Sequence, residues 1–426
     1  MSIDILLKGG CLADGRQADI AISGGVIVDI SPSIQAEARD IIDVTGNLVS
    51  PPLVDPHFHM DATLSYGQPR INKSGTLLEG IGLWGELKPL LTHEAVIERA
   101  LTYCDWAVSM GLLAIRSHVD VCDDRLLAVE ALLEVQKTVA PYIDLQLVAF
   151  PQDGFYRSPN GRENTLRALD MGVNVVGGIP HFERTMADGR KSVTELCEIA
   201  AGRGLPVDLH CDETDDPMSR HIEQLAYETQ RLGLQRRVVG SHLTSMHSMD
   251  NYYVSKLLPL IAEAEIGAVP NPLINITLQG RHDTYPKRRG MTRVPEMLAH
   301  GIRVGFGQDC VLDPWYSLGT ADMLDVAFMG LHVAQMTSSA DMRQCFEMVT
   351  TQSATLMNLN NYGLEIGKAA SLVVFNAGDP IEAIRLRADR LLVMAQGKIV
   401  ARGEKHAMQL SLPGRSGAID RRFSVH

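Results

Sequence analysis

The sequence predicts an α/β fold: a (β/α)8 barrel of the TIM type with a small composite β-sandwich domain made from both chain ends. Eight short runs rich in Val and Ile alternate with longer helical patterns, and further strand-like segments occur at both ends of the chain. An open, doubly wound sheet is the alternative, but the glycine-rich turn G-x-G-x-x-G that typically follows its first strand is missing. The predicted domains are residues 1–50 and 363–426 for the two halves of the β domain and residues 51–362 for the barrel.

Short strands separated by turn-forming residues are predicted at both ends of the chain. In the amino-terminal segment they are Ile3–Lys8, Ala18–Ser23, Val26–Ile30 and Ile41–Asp43. Near the other end they are Ser371–Phe375, Leu391–Met394 and Lys398–Ala401, the last two joined as a hairpin. Because strands this short do not form a stable sheet alone, we expect the two ends to pair in one β domain.

The middle of the chain alternates buried strands with amphipathic helices, which is typical of a parallel sheet. The predicted strands are Val49–Val54, Leu112–His118, Leu145–Phe150, Val173–Ile179, Pro206–His210, Arg237–His242, Ala268–Pro270 and Arg303–Gly307. The clearest predicted helices are Glu94–Ser109, Asp124–Thr138, Val193–Arg203 and Pro217–Leu232. Eight such units favour a closed barrel over the open sheet.

Composition excludes several classes of function. The chain carries 51 acidic and 39 basic side chains, a net charge of −12, which argues against binding to nucleic acid or to an anionic membrane surface. Its seven cysteines are scattered and never spaced C-x-x-C, so neither a disulfide scaffold nor a thiolate zinc finger is expected. Neither a basic amino-terminal leader nor an apolar run of about 18 residues is found, and we therefore expect a soluble, cytoplasmic protein.

Unusual polar residues follow several predicted strands, at the rim where barrels of this type hold their active sites. His57 and His59 follow the first strand, and residues two apart on an extended chain point the same way, so both imidazoles can reach one metal ion. On its own an H-x-H pair is a weak signal. His210, His242 and Asp309 follow three further strands. Imidazoles with one carboxylate suit Zn²⁺ or Fe²⁺, whereas Mg²⁺ and Ca²⁺ favour more oxygen ligands.

Several motifs together resemble the amidohydrolase superfamily and, within it, the bacterial cytosine deaminases. They are Pro56-His-Phe-His-Met-Asp61, Phe150-Pro-Gln-Asp-Gly154, His210-Cys-Asp-Glu213, Ser241-His242, Leu278-Gln-Gly-Arg-His-Asp-Thr-Tyr-Pro-Lys-Arg-Arg-Gly290, and Asp309 with Asp313-Pro-Trp-Tyr316. The resemblance covers nearly the whole chain. It implies that His57, His59, His210 and Asp309 bind a single Fe²⁺ or Zn²⁺, because Ile179-Pro-His181 stands where two-metal members usually carry a bridging lysine. Homo-oligomers are expected by analogy with related barrels.

The chemistry of deamination fits this resemblance. A bound divalent ion can lower the pKa of its water from 15.7 to about 7, so that hydroxide attacks C4 of the base at neutral pH. Asp309 is predicted to accept the proton, Glu213 to protonate ring N3 and the departing ammonia, and His242 to hold or deprotonate the water.

The predicted substrate contacts surround this chemistry. They are Gln152, whose amide matches the carbonyl and ring N–H of a pyrimidine edge, together with Cys310, Trp315, Phe150 and Leu77. Taken singly, these side chains are also compatible with ordinary structural roles: a first-turn helix carboxylate for Glu213, a helix N-cap for Asp309, core packing for the aromatic rings and a solvated loop for Gln152.

The eighth strand departs from the cytosine deaminase pattern. That family reads His-Asp-Asp here, and its second Asp reaches the substrate, whereas this chain reads Gln308-Asp309-Cys310. A carboxylate disfavours an apolar substituent beside it, while cysteine behaves as a small hydrophobe. Burial of one methyl group contributes only about 0.8 kcal/mol, so loss of the carboxylate matters more. We therefore predict deamination of 5-methylcytosine to thymine, with cytosine to uracil also accepted. Neutral drift to a small residue and a thiol nucleophile are the alternatives for Cys310.

Other functions are left open by the sequence. Hydrolysis of another cyclic amide or aminotriazine, such as an N-alkyl ammelide, is the main alternative, and a metal-dependent binding protein without turnover is a third. The zinc deaminases of flipped or single-stranded bases carry H-x-E followed by P-C-x-x-C; His181-Phe-Glu183 supplies the first half but the second is missing. Without a phosphate-binding loop, a free nucleobase is expected rather than a nucleotide, and the roles of His118 and His181 stay open.

Overall fold

The computed structural model describes residues 3–422. The strands of the amino-terminal segment are β1 (Ile3–Leu12), β2 (Gln17–Ser23), β3 (Val26–Ser31), β4 (Ala38–Asp43) and β5 (Leu48–Ser50). The barrel strands are β6 (Leu53–Phe58), β7 (Leu112–Asp120), β8 (Asp144–Phe150), β9 (Val175–Gly178), β10 (Val207–Cys211), β11 (Val238–His242) and β12 (Gly267–Val269). The carboxy-terminal strands are β13 (Leu372–Phe375), β14 (Arg390–Ala395), β15 (Lys398–Arg402), β16 (Gln409–Leu412) and β17 (Arg415–Ala418).

The described residues contain α-helices that surround the barrel and continue into the carboxy-terminal segment. They are α1 (Leu77–Leu87), α2 (His93–Ser109), α3 (Leu127–Val139), α4 (Gly161–Met171), α5 (Met186–Arg203), α6 (His221–Arg231), α7 (Asn251–Glu263), α8 (Pro272–Leu278), α9 (Val294–Ala299), α10 (Met323–Val333), α11 (Ser339–Glu347), α12 (Thr351–Leu356) and α13 (Pro380–Leu386). Among residues 3–422, no helix combines the length and apolarity needed to cross a membrane.

Strands from both ends of the chain share one sheet, in the order β15-β14-β13-β5-β1-β2-β3, with β4 added beside β1. The two segments meet where β13 runs antiparallel to β5. The predicted hairpin is also present: β14 and β15 pair antiparallel, and the turn residues Gln396 and Gly397 both have positive φ, as a tight two-residue turn requires. The composite β domain of the predicted fold is therefore confirmed.

The first barrel strand differs from the predicted Val49–Val54. Leu48–Ser50 belongs to the composite sheet, and the barrel strand begins only at Leu53. The dipeptide Pro51-Pro52 separates them, because proline has no N–H to donate to a ladder.

Seven strands, β6 to β12, form a parallel sheet whose two ends are closed by an eighth segment. The predicted strand Arg303–Gly307 is not regular: Val304 makes a single bridge to Ala268, and Asp309 makes a single bridge to Phe58. Its backbone hydrogen bonds go to different parts of the chain: the N–H of Phe306 donates to the carbonyl of Met348, and that of Gly307 to the carbonyl of Pro270. The barrel is nevertheless closed, which confirms the predicted fold class and places Asp309 beside the end of β6.

Candidate active site

Four metal-ligating side chains meet at the carboxyl end of the barrel strands. His57 lies near the end of β6, His59 directly follows it, His210 is in β10, and Asp309 ends the eighth segment. One ligand atom from each lies within 4.8 Å of all the others, and all four residues are buried. Nε2 of His59 is 3.0 Å from Nε2 of His210, and Oδ1 of Asp309 is 3.5 and 3.4 Å from Nε2 of His57 and His59. The structure thus brings together the four ligands that the sequence predicts.

The chemistry of this donor set fits a transition metal ion. Burial, followed by the charge of Arg116, lowers the pKa of His57 to about 3, and burial lowers the pKa of His59 to about 4. These imidazoles are therefore neutral at physiological pH and offer lone pairs, as metal ligation requires. Within residues 3–422, neither ring nitrogen of His57 has a hydrogen-bond partner. A ligated cation would satisfy Nε2 of this buried imidazole, the nitrogen that faces Asp309.

Asp55 fixes the backbone around the ligands, a role that nothing in the sequence pattern indicated. Its Oδ1 accepts hydrogen bonds from the N–H groups of His57 (3.2 Å) and Gln308 (3.1 Å), which belong to the two edges that close the barrel. The N–H of Asp309 then donates to the carbonyl of His57, and the N–H of His59 to the carbonyl of Asp309. Asp309 has a φ of 70°, a strained conformation for a residue with a side chain, and both its N–H and its carbonyl are bonded within this closure.

The predicted acid and base groups surround the same point. Oε1 of Glu213 is 3.4 Å from Nδ1 of His242, and Oδ2 of Asp309 is 3.8 Å from the same nitrogen. Burial, reinforced by the charge of Asp309, raises the pKa of Glu213 well above its ordinary value. A carboxyl with a raised pKa keeps its proton near neutral pH, which is the state that a general acid needs. Burial lowers the pKa of His242, so that its ring is neutral.

Two asparagines hold His242. Nδ2 of Asn275 lies 3.0 Å and Nδ2 of Asn271 lies 3.3 Å from Nδ1 of the ring. Both asparagines follow β12, and Asn271 also lies against Gly307, where an added Cβ would be 2.2 Å from its Oδ1. Neither was identified from the sequence, because a lone asparagine near a turn gives no signal of a catalytic contact.

A cavity of about 220 Å³ opens above the ligands. Four of the predicted substrate contacts, namely Gln152, Cys310, Trp315 and Leu77, line it, together with Glu213, His242 and Asp309. Further wall residues are not among the predicted substrate contacts: Leu78, Ile81, Ile179, His181, Phe182, Thr214, Ile274 and Leu278. Among the described residues that line this cavity, none is Lys or Arg. A larger cavity of about 680 Å³ lies against the composite sheet, and none of the predicted site residues lines it.

Phe150 lies apart from the other predicted substrate contacts. Its side chain is fully buried and does not line the cavity. Its ring instead stacks on His210, with centroids 4.0 Å apart and planes 18° from parallel. Phe150 is the last residue of β8, and side chains alternate between the two faces of a strand, so the motif alone did not show which face it takes.

The structure separates the two histidines that the sequence left open. His118 lies beneath the ligands, fully buried, with its ring centroid 4.2 Å from that of His57. Its Nε2 is 3.8 Å from Oδ1 of Asp208, which also accepts a hydrogen bond from Ser241. His181 lines the cavity, and burial lowers its pKa to about 4, so it presents a neutral ring to a ligand.

The chain is similar to several known proteins along most of its length. Residues 40–401 match the model of the Amidohydrolase family. The crystal structure of 5-methylcytosine deaminase from Klebsiella pneumoniae liganded with 5-fluorocytosine superimposes with a TM-score of 0.93 and 41% identity, covering 95% of this chain and 99% of that one. N-isopropylammelide isopropyl amidohydrolase from Pseudomonas sp. (strain ADP) is 28% identical over 94% of this chain and 98% of its own. Pterin deaminase from Rhizobium rhizogenes is 27% identical over 91% and 88%, respectively.

Proposed function

Because this chain belongs to the amidohydrolase family, whose members hydrolyse bonds with the help of metal ions, we propose that it deaminates free cytosine-type bases, converting 5-methylcytosine to thymine and ammonia and also accepting cytosine. The family match and the related deaminases establish that the chain is a hydrolytic aminohydrolase. The choice of base is our proposal. It is supported by the 41% identity to the Klebsiella enzyme and by the side chains around the cavity.

The observation that carries the proposal is Cys310. It is buried, lines the cavity beside Asp309, and its Sγ lies 3.6 Å from Oδ1 of that carboxylate. Burial, followed by the charge of Asp313, raises the pKa of the thiol well above its ordinary value, so Cys310 stays neutral. The cavity wall therefore has a small, uncharged side chain at this point. Such a surface accepts a methyl substituent that a second carboxylate would exclude by losing its solvation.

The chain's own groups are placed for each proton transfer in deamination. Attack of water at C4 forms the C–O bond, and Asp309 would accept the proton that the water gives up. Glu213 would donate its proton to ring N3, take up the proton of the new C4 hydroxyl and pass it to the amino group, so that the C–N bond breaks and ammonia leaves. The proton held by Asp309 would then return to Glu213. His242, between the two carboxyl groups, would orient the water. Gln152 would bind the carbonyl and N–H edge of the ring, and Trp315 would cover one face.

A single divalent ion, Fe²⁺ or Zn²⁺, is proposed at His57, His59, His210 and Asp309. When bound there it would supply a water acidic enough to act as hydroxide near neutral pH. A count of one ion is supported by the four converging donors and by Ile179-Pro-His181, which offers no lysine to bridge a pair.

Free bases are favoured over nucleotides. A phosphorylated substrate needs cationic side chains or oriented N–H groups around its phosphate. The described lining residues include no Lys or Arg, and the remaining wall is largely aliphatic.

The aliphatic wall of the cavity supports a second candidate function, hydrolysis of an N-alkyl ammelide, because it could also hold an alkyl group. This wall consists of Leu77, Leu78, Ile81, Ile274 and Leu278. The 28% identity to the Pseudomonas amidohydrolase supports the same candidate.

The decisive experiment compares kcat/KM for cytosine, 5-methylcytosine and N-isopropylammelide in the wild type and in Cys310→Asp. We expect the wild type to favour 5-methylcytosine, and the variant to lose activity on the methylated base while retaining cytosine turnover. Cys310→Ser serves as the matched control, because it changes the side chain without adding charge. Equal activity of wild type and Cys310→Asp on 5-methylcytosine would contradict the role of Cys310, and preference for the ammelide would replace the proposed substrate.

Metal dependence is tested separately by elemental analysis and chelation. His210→Ala should lose the bound ion and all turnover, and chelated wild type should regain activity when Fe²⁺ or Zn²⁺ is restored. Turnover that survives complete removal of the ion would contradict the proposed mechanism.

A further inference from the structure

Lys88 lies outside the cavity, just behind its wall. It opens a short 3-10 turn, Lys88–Leu90, directly after α1, the helix whose residues Leu77 and Ile81 line the cavity. Its side chain is only 11% exposed. A lysine this deeply buried is held by partners, since an unpaired buried ammonium is costly.

Two carboxylates hold this ammonium, one at the end of a barrel strand and one in the loop after the next strand. Nζ of Lys88 is 2.9 Å from Oδ2 of Asp120, the last residue of β7, and 2.5 Å from Oδ2 of Asp153, in the loop after β8. Asp153 directly follows Gln152, which lines the cavity and is the proposed reader of the pyrimidine edge. The ion pair therefore fixes the backbone one residue from the side chain that selects the base.

The same carboxylate anchors a second wall of the cavity. Nε1 of Trp84, in α1, donates to Oδ2 of Asp120 at 2.7 Å, so that one oxygen serves both Lys88 and the indole. The ring of Trp84 packs on that of Trp315, with centroids 5.8 Å apart, and Trp315 lines the cavity. Asp120 is itself fixed by two backbone groups: its Oδ1 accepts from the N–H of Cys122, and its own N–H donates to Asp61.

We propose that Lys88 is a positioning residue for substrate selection: by binding Asp120 and Asp153 it holds Gln152 against the base. This inference rests on the proposed function only for the identity of the substrate, because the contacts themselves do not depend on which heterocycle is bound. Lys88 touches neither the substrate cavity nor the metal ligands. Its removal should therefore weaken substrate binding more than it slows the chemical step, since general acid and base groups stay in place.

The test uses Lys88→Met and Asp153→Asn in the metal-loaded enzyme, each also combined with Gln152→Ala. Asp153 is 42% exposed, so its amide variant should fold even if Lys88→Met, which leaves a buried carboxylate unpaired, is destabilised. We expect KM for 5-methylcytosine to rise about tenfold in either variant while kcat changes by less than about threefold. In the Gln152→Ala background, the same substitutions should change KM by less than about twofold, because residues that act through one another are not additive.

Two controls separate this proposal from a general loss of structure and from failure of the proposed function. Lys256→Met removes an exposed lysine on α7 and should leave KM unchanged. Melting temperatures identify variants that are merely unstable. If the wild type deaminates neither cytosine nor 5-methylcytosine, the proposed function is wrong. The same single and double variants are then compared on whichever aminopyrimidine, aminotriazine or pterin releases ammonia in a screen. An unchanged KM in Asp153→Asn, or effects that persist fully without the Gln152 side chain, would overturn the role of Lys88.

Discussion

Asn275 turns its amide nitrogen toward Nδ1 of His242, 3.0 Å away. The orientation of the amide follows from the backbone: Oδ1 of Asn275 accepts a hydrogen bond from the N–H of Asn271 at 2.9 Å, which leaves Nδ2 facing the ring. An amide nitrogen can only donate, so Nδ1 must present its lone pair and the neutral ring carries its proton on Nε2. A protonated Glu213, 3.4 Å from Nδ1, is compatible with the same tautomer.

Asn275→Asp should therefore impair catalysis more than Asn275→Ala. A carboxylate at this position can still accept from Asn271, but its second oxygen would require a proton on Nδ1 and would reverse the tautomer of His242. We expect kcat to fall about 100-fold in Asn275→Asp, near the lower end of what general acid–base catalysis contributes. Steady-state kinetics with metal content determined in parallel measure this. A kcat within twofold of the wild type, at full metal content, would show that the tautomer does not matter.

Phe150→Leu should weaken metal binding rather than substrate binding. The Phe150 ring stacks on the face of His210, whereas leucine fills most of the same volume without a flat surface. Contacts that orient metal ligands typically contribute about 10- to 100-fold in metal affinity. We expect a loss in this range by competition with a chelator, with KM of the reloaded enzyme unchanged. Phe155→Leu is the matched control, because that buried ring packs on Tyr156 instead. A raised KM at unchanged metal affinity would instead support Phe150 as a substrate contact.

Asp212 should make stability depend on acid pH. Burial opposes its charge, but hydrogen bonds from His221, Ser219 and the N–H of Ile222 outweigh it and lower its pKa to about 2. A carboxyl whose pKa is depressed on folding stabilises the folded state above its unfolded value of about 3.9 and loses that contribution as the pH falls toward 2. The metal-free wild type should thus exceed Asp212→Asn by about 2 kcal/mol in unfolding free energy at pH 6, and the difference should shrink between pH 4 and 2.

Urea unfolding at several pH values measures this difference. Asp216→Asn, an exposed carboxyl in the same loop, is the control for simple loss of charge. A gap between wild type and Asp212→Asn that stays constant from pH 6 to pH 2 would show that the pKa of Asp212 is not depressed.

The sequence indicated the clustered side chains that could ligate a metal ion, but not the residues that position them. His57, His59, His210 and Asp309 could be identified because ligating residue types follow strands, and strand ends meet at one rim. Asp55 and Asn275 could not, because their roles depend on which backbone N–H or ring nitrogen lies opposite, and no periodicity encodes that contact.

The fold shows the same division. Regular apolar runs located β7 to β12. The eighth segment instead contains Gly305 and Gly307, and its N–H groups donate to the carbonyls of Ala268, Met348 and Pro270 in turn. Close packing explains the irregularity: a Cβ on Gly307 would lie 2.2 Å from Oδ1 of Asn271 and 2.8 Å from Cβ of His57. Such contacts between distant parts of the chain cannot be inferred from local pattern.

Two glycines of α1 offer a controlled test of the cavity wall. A Cβ on Gly80 would lie 2.5 Å from Cδ1 of Trp315, closer than real side chains approach, whereas a Cβ on Gly82 would meet nothing within 4 Å. Both substitutions to alanine raise helix propensity by about 1 kcal/mol, so any difference between them reports the contact with Trp315. Gly80→Ala must displace either the indole or the helix that carries Leu77 and Ile81, and both line the cavity. We expect KM for the base to rise several-fold in Gly80→Ala, with a shift in tryptophan emission, while Gly82→Ala keeps wild-type kinetics and melts slightly higher. Identical kinetics in the two variants would mean that the structure accommodates the added methyl group without changing the cavity, and that Trp315 does not limit the space available to the base.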